Sequence, residues 1–298
     1  VTLFHGLSAF PLTPTDSEGR VQADLLRGFL ERIVASGADS IGLLGSTGAY
    51  AFLTRDERRR AVEAAVACVN GRMPLIVGAG ALRTDAAQRL AEDAEALGAN
   101  GLLLAPVSYT PLIDEEVFQH FNAVASVTAL PICIYNNPGT TKFTFSEDLI
   151  ARLAELPNIA AVKMPLPADG DFKTEIARLR AKTPKNFAVG YSGDWGSPAA
   201  LLAGGDAWYS VVGGLLPEAT LKLARAAQAK DVAETGRINT AFQALWALFT
   251  EFGSFRVMYV IADILYPGIG IAPPRPVLPP PPEARPRIDA AVQQVLLV

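Results

Sequence analysis

At 298 residues, half of them hydrophobic, the chain can bury one barrel-sized core plus an appendage, which excludes a disordered polypeptide. Its formal charge of −4, from 26 basic and 30 acidic residues, is spread along the sequence, so there is no basic stripe of the kind nucleic acid requires. No run approaches the ~18 uncharged apolar residues of a membrane span, and Val257–Ile271 is broken by Asp263 and Pro267.

Taken in order, short β-type runs alternate with amphipathic helical runs up to about residue 215. The predicted strands are Phe4–Phe10, Ser40–Leu44, Leu75–Val77, Gly101–Leu104, Ile132–Tyr135, Ile159–Lys163, Phe187–Gly190 and Ala207–Val212. Helices are expected over Ala23–Ala35, Arg55–Asn70, Asp85–Leu97, Glu115–Thr128, Ser146–Glu155, Phe172–Ala181 and Ser197–Ala203. Thr54 precedes Glu57 at capping-box spacing, and Gly37, Gly71 and Gly98 stand where helices need a left-handed residue. Eight such units predict a closed (β/α)8 barrel over residues 1–216, because every parallel crossover needs a helix. A doubly wound open sheet competes, but no strong dinucleotide loop is present and polar residues collect after several different strands.

From Pro217 the pattern becomes helix after helix: Glu218–Lys230, Asp231–Glu251 and Ser254–Leu265. The stretch Pro273–Pro286, with eight prolines, reads as an extended strap leading to a last short helix from about Ile288. Residues 217–298 are therefore expected to form a C-terminal helical region. Cys68 falls in a helical pattern and Cys133 in a strand pattern, which is neither a disulfide framework nor a metal knuckle and fits a reducing cytoplasm. The first residues show no basic segment leading into an apolar one, so no secretion signal is expected there.

In a parallel barrel the C-terminal strand ends share one mouth. That rule gathers Gly45-Ser46-Thr47-Gly48, Tyr135, Lys163 and Ser192-Gly193-Asp194. Each has an ordinary structural reading: a lysine reaching solvent, a tyrosine packed with a wet hydroxyl, a tight turn. Their convergence on one face is what points to chemistry. Such a set suits Schiff-base catalysis, in which an uncharged amine attacks a ketone and becomes an iminium that draws electrons from the next carbon. An apolar barrel favours the uncharged amine by penalising charge. A phenol can both give and take the protons, and the Ser46 and Thr47 backbone N–H groups can nest a carboxylate.

Metal chemistry is not expected, since His5 and His120 belong to no ligand cluster, and His120 reads as a helix-surface or interface residue. Gly78-Ala79-Gly80 opens a helix, but Arg83 occupies the place of a third dinucleotide-loop glycine, so the turn reads as barrel architecture. Trp195, Trp208 and Tyr209 are candidates to line the pocket.

These residues resemble the dihydrodipicolinate synthase / N-acetylneuraminate lyase family of barrel enzymes. The similarity runs nearly end to end, through Thr13-Pro14, Gly45-Ser46-Thr47-Gly48, Leu53-Thr54, Gly78-Ala79-Gly80, Tyr135-Asn136-Asn137-Pro138-Gly139, Val162-Lys163, Ser192-Gly193-Asp194 and the proline-rich arm. The resemblance implies Lys163 as the amine that binds pyruvate or another 2-oxo acid, Tyr135 as proton relay and Ser46 as relay hydroxyl. It further implies Thr47, with Gly48, at the 2-oxo acid carboxylate, and Gly193 and Tyr209 bordering the pocket. The resemblance also implies no metal or organic cofactor, and assembly as a homo-oligomer, tetramer or dimer. Three positions depart from the family pattern: Ala49 replaces a common glutamate, Thr140 stands where the dihydrodipicolinate-forming branch has an arginine, and Ser108, with Tyr109 beside it, falls where a neighbouring subunit contributes a tyrosine. A threonine hydroxyl does not replace an arginine fork.

The leading expectation is a Schiff-base lyase acting on a 2-oxo acid by condensation, cleavage, dehydration or deamination. Dihydrodipicolinate synthase proper is a narrower alternative, and a non-catalytic 2-oxo acid binder is one from another class. A barrel isomerase of sugar phosphates lacks a phosphate loop near strands seven and eight.

Overall fold

The computed structural model describes residues 3–298. Eight parallel strands close into a barrel in chain order: β1 (Gly6–Ala9), β2 (Ser40–Leu43), β3 (Leu75–Gly78), β4 (Gly101–Leu104), β5 (Ile132–Tyr135), β6 (Ile159–Met164), β7 (Ala188–Tyr191) and β8 (Ala207–Ser210), with β8 paired back onto β1. The helices are α1 (Ala23–Ser36), α2 (Arg55–Val69), α3 (Thr84–Leu97), α4 (Asp114–Ala125), α5 (Pro138–Thr141), α6 (Glu147–Leu153), α7 (Phe172–Lys182), α8 (Ser197–Ala203), α9 (Pro217–Gln228), α10 (Val232–Phe252), α11 (Ser254–Leu265) and α12 (Arg285–Leu296). The expected (β/α)8 barrel with C-terminal helices is the architecture observed.

Side chains on each strand alternate between two cores. Leu7, Ile41, Leu43, Leu102, Leu104, Ile134, Val162 and Val189 face the helices. A helix such as α1 meets them with Leu26, Phe29, Leu30 and Ile33, one stripe at i, i+3, i+4 and i+7. Inside the barrel the small residues Ala161, Ala188, Ala207 and Cys133 share the space with Phe10, Ile76, Leu103, Tyr135 and Tyr209. That economy of volume leaves room at the mouth for one long side chain.

Several boundaries differ from expectation. The last predicted strand stops at Ser210, and Val212–Gly214 forms a 3-10 turn instead. The one-turn α5, capped by Asn137 and opening on Pro138-Gly139, has no counterpart among the predicted helices. Thr54 accepts from the Glu57 N–H at 3.3 Å, but the Glu57 carboxylate binds the Val21 N–H rather than closing a capping box. Asn70, not Gly71, is the left-handed cap of α2. Helix α9 packs against α8, α1 and β1 on one side and against α10 on the other, joining the barrel to the helices that follow. The strap keeps an irregular path to a 3-10 turn at Pro282–Ala284, and α12 begins at Arg285, tolerating Pro286 in its first turn where no N–H is needed.

Candidate active site

The placement of the site depends on one extra residue. Ile132 of β5 pairs with Ile159 of β6, but Cys133 pairs with Ala161, so Ala160 is bulged out and Tyr135 comes level with Lys163. Because strand side chains alternate, a shift of one residue changes the face presented. The bulge therefore sets Lys163 in phase with Tyr135, both pointing into the barrel.

Lys163 is 4 % exposed. Its Nζ lies 4.1 Å from the ring centre of Phe10, 4.6 Å from that of Tyr135 and 5.6 Å from that of Tyr209. The described residues place no carboxylate in an ion pair with it. Its setting is three aromatic faces and an open end toward the mouth. Phe10 fits because Gly42 and Gly45 face it, and a Cβ on either would strike its ring.

Tyr135 Oη lies 2.9 Å from Ser46 Oγ and accepts a hydrogen bond from Asn137 Nδ2 at 2.8 Å. With the amide donating, the phenolic proton is free to point at Ser46 or at a bound substrate. Ser46 sits in the turn after β2, which is bracketed by left-handed Leu44 and Ala49 (φ 57° and 55°) and closed by a bond from the Ala49 N–H to the Ser46 carbonyl. The backbone N–H groups of Ser46 and Thr47 donate to no acceptor among the described residues. Gly78 makes this turn possible, since a Cβ there would collide with the Leu44 carbonyl. Arg58, itself buried, donates to the carbonyls of Gly78 and Gly80 at 2.6 and 3.0 Å and stacks over Tyr50. Loss of hydration pulls its guanidinium down to about 10.

A cleft of about 460 Å³ opens over these groups, lined at its inner end by Ser46, Thr47, Tyr135 and Lys163, with Asn137, Thr140, Ser192 and Gly193 on its sides. Gly193 (φ 98°) reverses the chain after β7. Asp194 then turns inward, accepting from Trp208 Nε1 at 2.8 Å and from the Val211 and Val212 N–H groups at 3.2 and 2.9 Å. Burial holds its carboxyl above the usual carboxylate range despite those bonds.

A match to the Dihydrodipicolinate synthetase family covers residues 3–295. The chain belongs to the dihydrodipicolinate synthetase family. It is 57% identical to a dihydrodipicolinate synthase from Agrobacterium tumefaciens strain C58, whose crystal structure superposes with a TM-score of 0.97 over 99% of both chains. It is 34% identical to the 4-hydroxy-tetrahydrodipicolinate synthase of Laribacter hongkongensis, over 84% of this chain and 85% of that one. A chloride-inhibited dihydrodipicolinate synthase from Acinetobacter baumannii, crystallised with pyruvate, shares 27% identity and a TM-score of 0.87 over the full length of both chains.

Within this family member, Lys163, Tyr135, Ser46, Thr47, Thr140 and Gly193 meet at one cleft, whereas other expected positions do not. Gly48 packs under the turn against Leu44 and Thr13. Tyr209 does not border the cleft: β8 points it into the barrel below Lys163, where it is 1 % exposed and contacts Cys133 Sγ. Burial raises the Tyr209 phenol well above the ordinary range and pushes the Cys133 thiol up to about 12. Trp208, one residue out of phase, faces the helices and holds Asp194. Tyr109, 97 % exposed, lies outside this chain's own cleft, beside a separate depression lined by Leu82, Thr84 and His120. His120 is not on the helix surface but buried, its Nδ1 3.0 Å from Thr84 Oγ1, and desolvation lowers it to about 4.

Sequence reasoning missed Asn137, Pro165, Leu166, Val211, Ser254 and Phe255, all lining the cleft. Asn137 was legible beside Tyr135 in the Asn-Asn-Pro-Gly run. Ser254 and Phe255 were not, because they come from the appendage, where Gly253 (φ 83°) breaks α10 from α11 over the barrel mouth.

Proposed function

We propose that this family member is a Schiff-base-forming lyase that binds pyruvate or a related 2-oxo acid on Lys163. The observation that carries the reading is the bulge at Ala160, which sets a buried amine level with a phenol already bonded to the Ser46 hydroxyl. Lys163 attacks the keto carbon, water leaves, and the resulting iminium acidifies the neighbouring C–H bonds. Tyr135 gives and takes the protons, with Ser46 as the next oxygen in line. The free N–H groups of the Ser46–Thr47 turn receive the substrate carboxylate, so the keto carbon is held at the amine. The pyruvate complex of the Acinetobacter baumannii relative supports this choice of substrate.

The test is borohydride reduction in the presence of pyruvate, followed by peptide mass spectrometry. A pyruvyl adduct on Lys163 is expected. Its absence with several 2-oxo acids would remove the proposal, and undiminished pyruvate affinity in Lys163→Ala would favour a non-catalytic binder.

Dihydrodipicolinate synthase proper is the second reading, favoured by the relatives' names. Against it stands Thr140, whose hydroxyl donates to the Asn137 carbonyl at 3.2 Å at the cleft rim. Condensation of pyruvate with aspartate semialdehyde decides between them. Assembly into a homo-oligomer belongs to the same proposal, supported by the exposed Leu82, Tyr109 and Ile113, and sedimentation velocity of the full chain tests it.

A further inference from the structure

The cleft has two unlike ends. Around Lys163 it is hydroxyl-rich, while Leu166, Trp195, Val211 and Phe255, drawn from the loops after β6, β7 and β8 and from α11, give it an apolar stretch of wall, with only the neutral hydroxyls of Thr140 and Ser254 beside them. Among the described residues, no cationic side chain except Lys163 lines it. Its one carboxylate, Asp194, is turned into the core and already takes three N–H donors. A second carboxylate entering this outer end would lose water with no counter-charge to receive it. An apolar group would lose nothing and would cover surface otherwise left wet.

The wall is fixed by backbone chemistry. A Cβ on Gly193 or Gly196 would approach Leu166 to 2.9 or 2.6 Å, so these glycines let Leu166 lie flat on the loop. Asp194 is pinned inward, and the next residue, Trp195, is thereby presented to the cleft with 46 % of its surface exposed. Phe255 is held from behind by Tyr259, edge-on at 5.4 Å. A large, half-exposed indole lining the same cleft as a buried amine is placed to stack on a flat partner.

Resting on the Schiff-base reading, we propose that this wall is a subsite for an aryl group, so that the carbonyl partner of the 2-oxo acid is an aromatic aldehyde rather than one bearing a second carboxylate. In the forward direction C3 of Lys163-bound pyruvate loses a proton to give the enamine. C3 then bonds to the aldehyde carbon, and the aldehyde oxygen takes up a proton. Water cleaves the iminium, returning Lys163 and releasing a 4-aryl-4-hydroxy-2-oxobutanoate. Trp195 and Phe255 position the ring, and the reverse reaction cleaves the same bond.

The experiment measures product formation by the full chain from pyruvate with benzaldehyde, aspartate semialdehyde or glyceraldehyde, alongside the borohydride trap. The expected kcat/KM for benzaldehyde exceeds that for aspartate semialdehyde by roughly tenfold or more, and Trp195→Ala lowers the benzaldehyde-to-glyceraldehyde ratio by about tenfold. Equal or faster use of aspartate semialdehyde, no turnover of benzaldehyde, or a ratio unmoved by Trp195→Ala overturns the subsite. A missing Lys163 adduct would instead strike the Schiff-base reading, so the two failures are distinguishable.

Discussion

Ser46 Oγ and Tyr135 Oη lie 2.9 Å apart although 89 positions separate them in the chain. The contact joins the turn after β2 to the end of β5 across the barrel mouth, and Asn137 Nδ2 fixes the phenol from the other side. On the Schiff-base proposal, two oxygens so held would pass protons to and from a substrate on Lys163. Tyr135→Phe is expected to lower kcat by roughly 10²–10⁴-fold with a smaller change in KM for pyruvate. Ser46→Thr, which keeps the hydroxyl, should retain most of the rate, whereas Ser46→Ala should not. Steady-state kinetics on the three variants checks this, and an unchanged kcat in Tyr135→Phe would remove the relay.

Phe10 supplies the floor of the amine's setting, its ring centre 4.1 Å from Lys163 Nζ. The ring occupies the place a Gly42 Cβ would need. Gly42→Ala must therefore displace the ring toward the amine or widen the barrel, at about 1–3 kcal/mol. Urea unfolding should register that loss, and pyruvate trapping by borohydride should slow in the same variant. Normal stability together with normal trapping would contradict the packing described.

Asp194 links the loop after β7 to the turn after β8. Asp194→Ala strands the Trp208 indole N–H and two backbone N–H groups in the core. At about 1–3 kcal/mol for each buried donor left without a partner, the variant should lose several kcal/mol. Asp194→Asn, which still offers one oxygen, should lose less. Chemical denaturation ranks the three proteins, and equal stability of wild type and Asp194→Ala would show the bonds to be dispensable.

Much of this arrangement was legible in the chain because alternation and topology carry it. Apolar runs ending on Tyr135 and Lys163 named the strands, and parallel closure put their ends together. The parity within β8 was not legible: Trp208 and Tyr209 are both large and aromatic, and only the pairing of β8 with β1 and β7 decides which enters the barrel. The bulge at Ala160 was equally silent, since Ala160 and Ala161 read alike in the run. Leu166 owes its place to glycines that permit close approach, Trp195 to the inward turn of Asp194 before it, and Phe255 to a break between two helices far along the chain. Those are tertiary facts with no local periodicity.

His120 makes a pH prediction that its burial alone requires. Desolvation holds the imidazole at about 4, below the 6.5 of an unperturbed histidine in the unfolded chain. Between those values the unfolded state binds the proton and the folded state does not, so stability rises with pH across the window and is lost as pH falls through it. The stabilisation is complete above about 6.5 and, by pH 5, this residue alone should have cost about 2 kcal/mol. Replacing it by asparagine, which can still meet Thr84 Oγ1 but does not titrate, should flatten that part of the profile. Urea denaturation of wild type and His120→Asn at pH 7 and pH 5 reads the difference directly. The gap between the two pH values should be larger in wild type by about that amount, and equal gaps would mean that the ring is hydrated or charged in the folded protein.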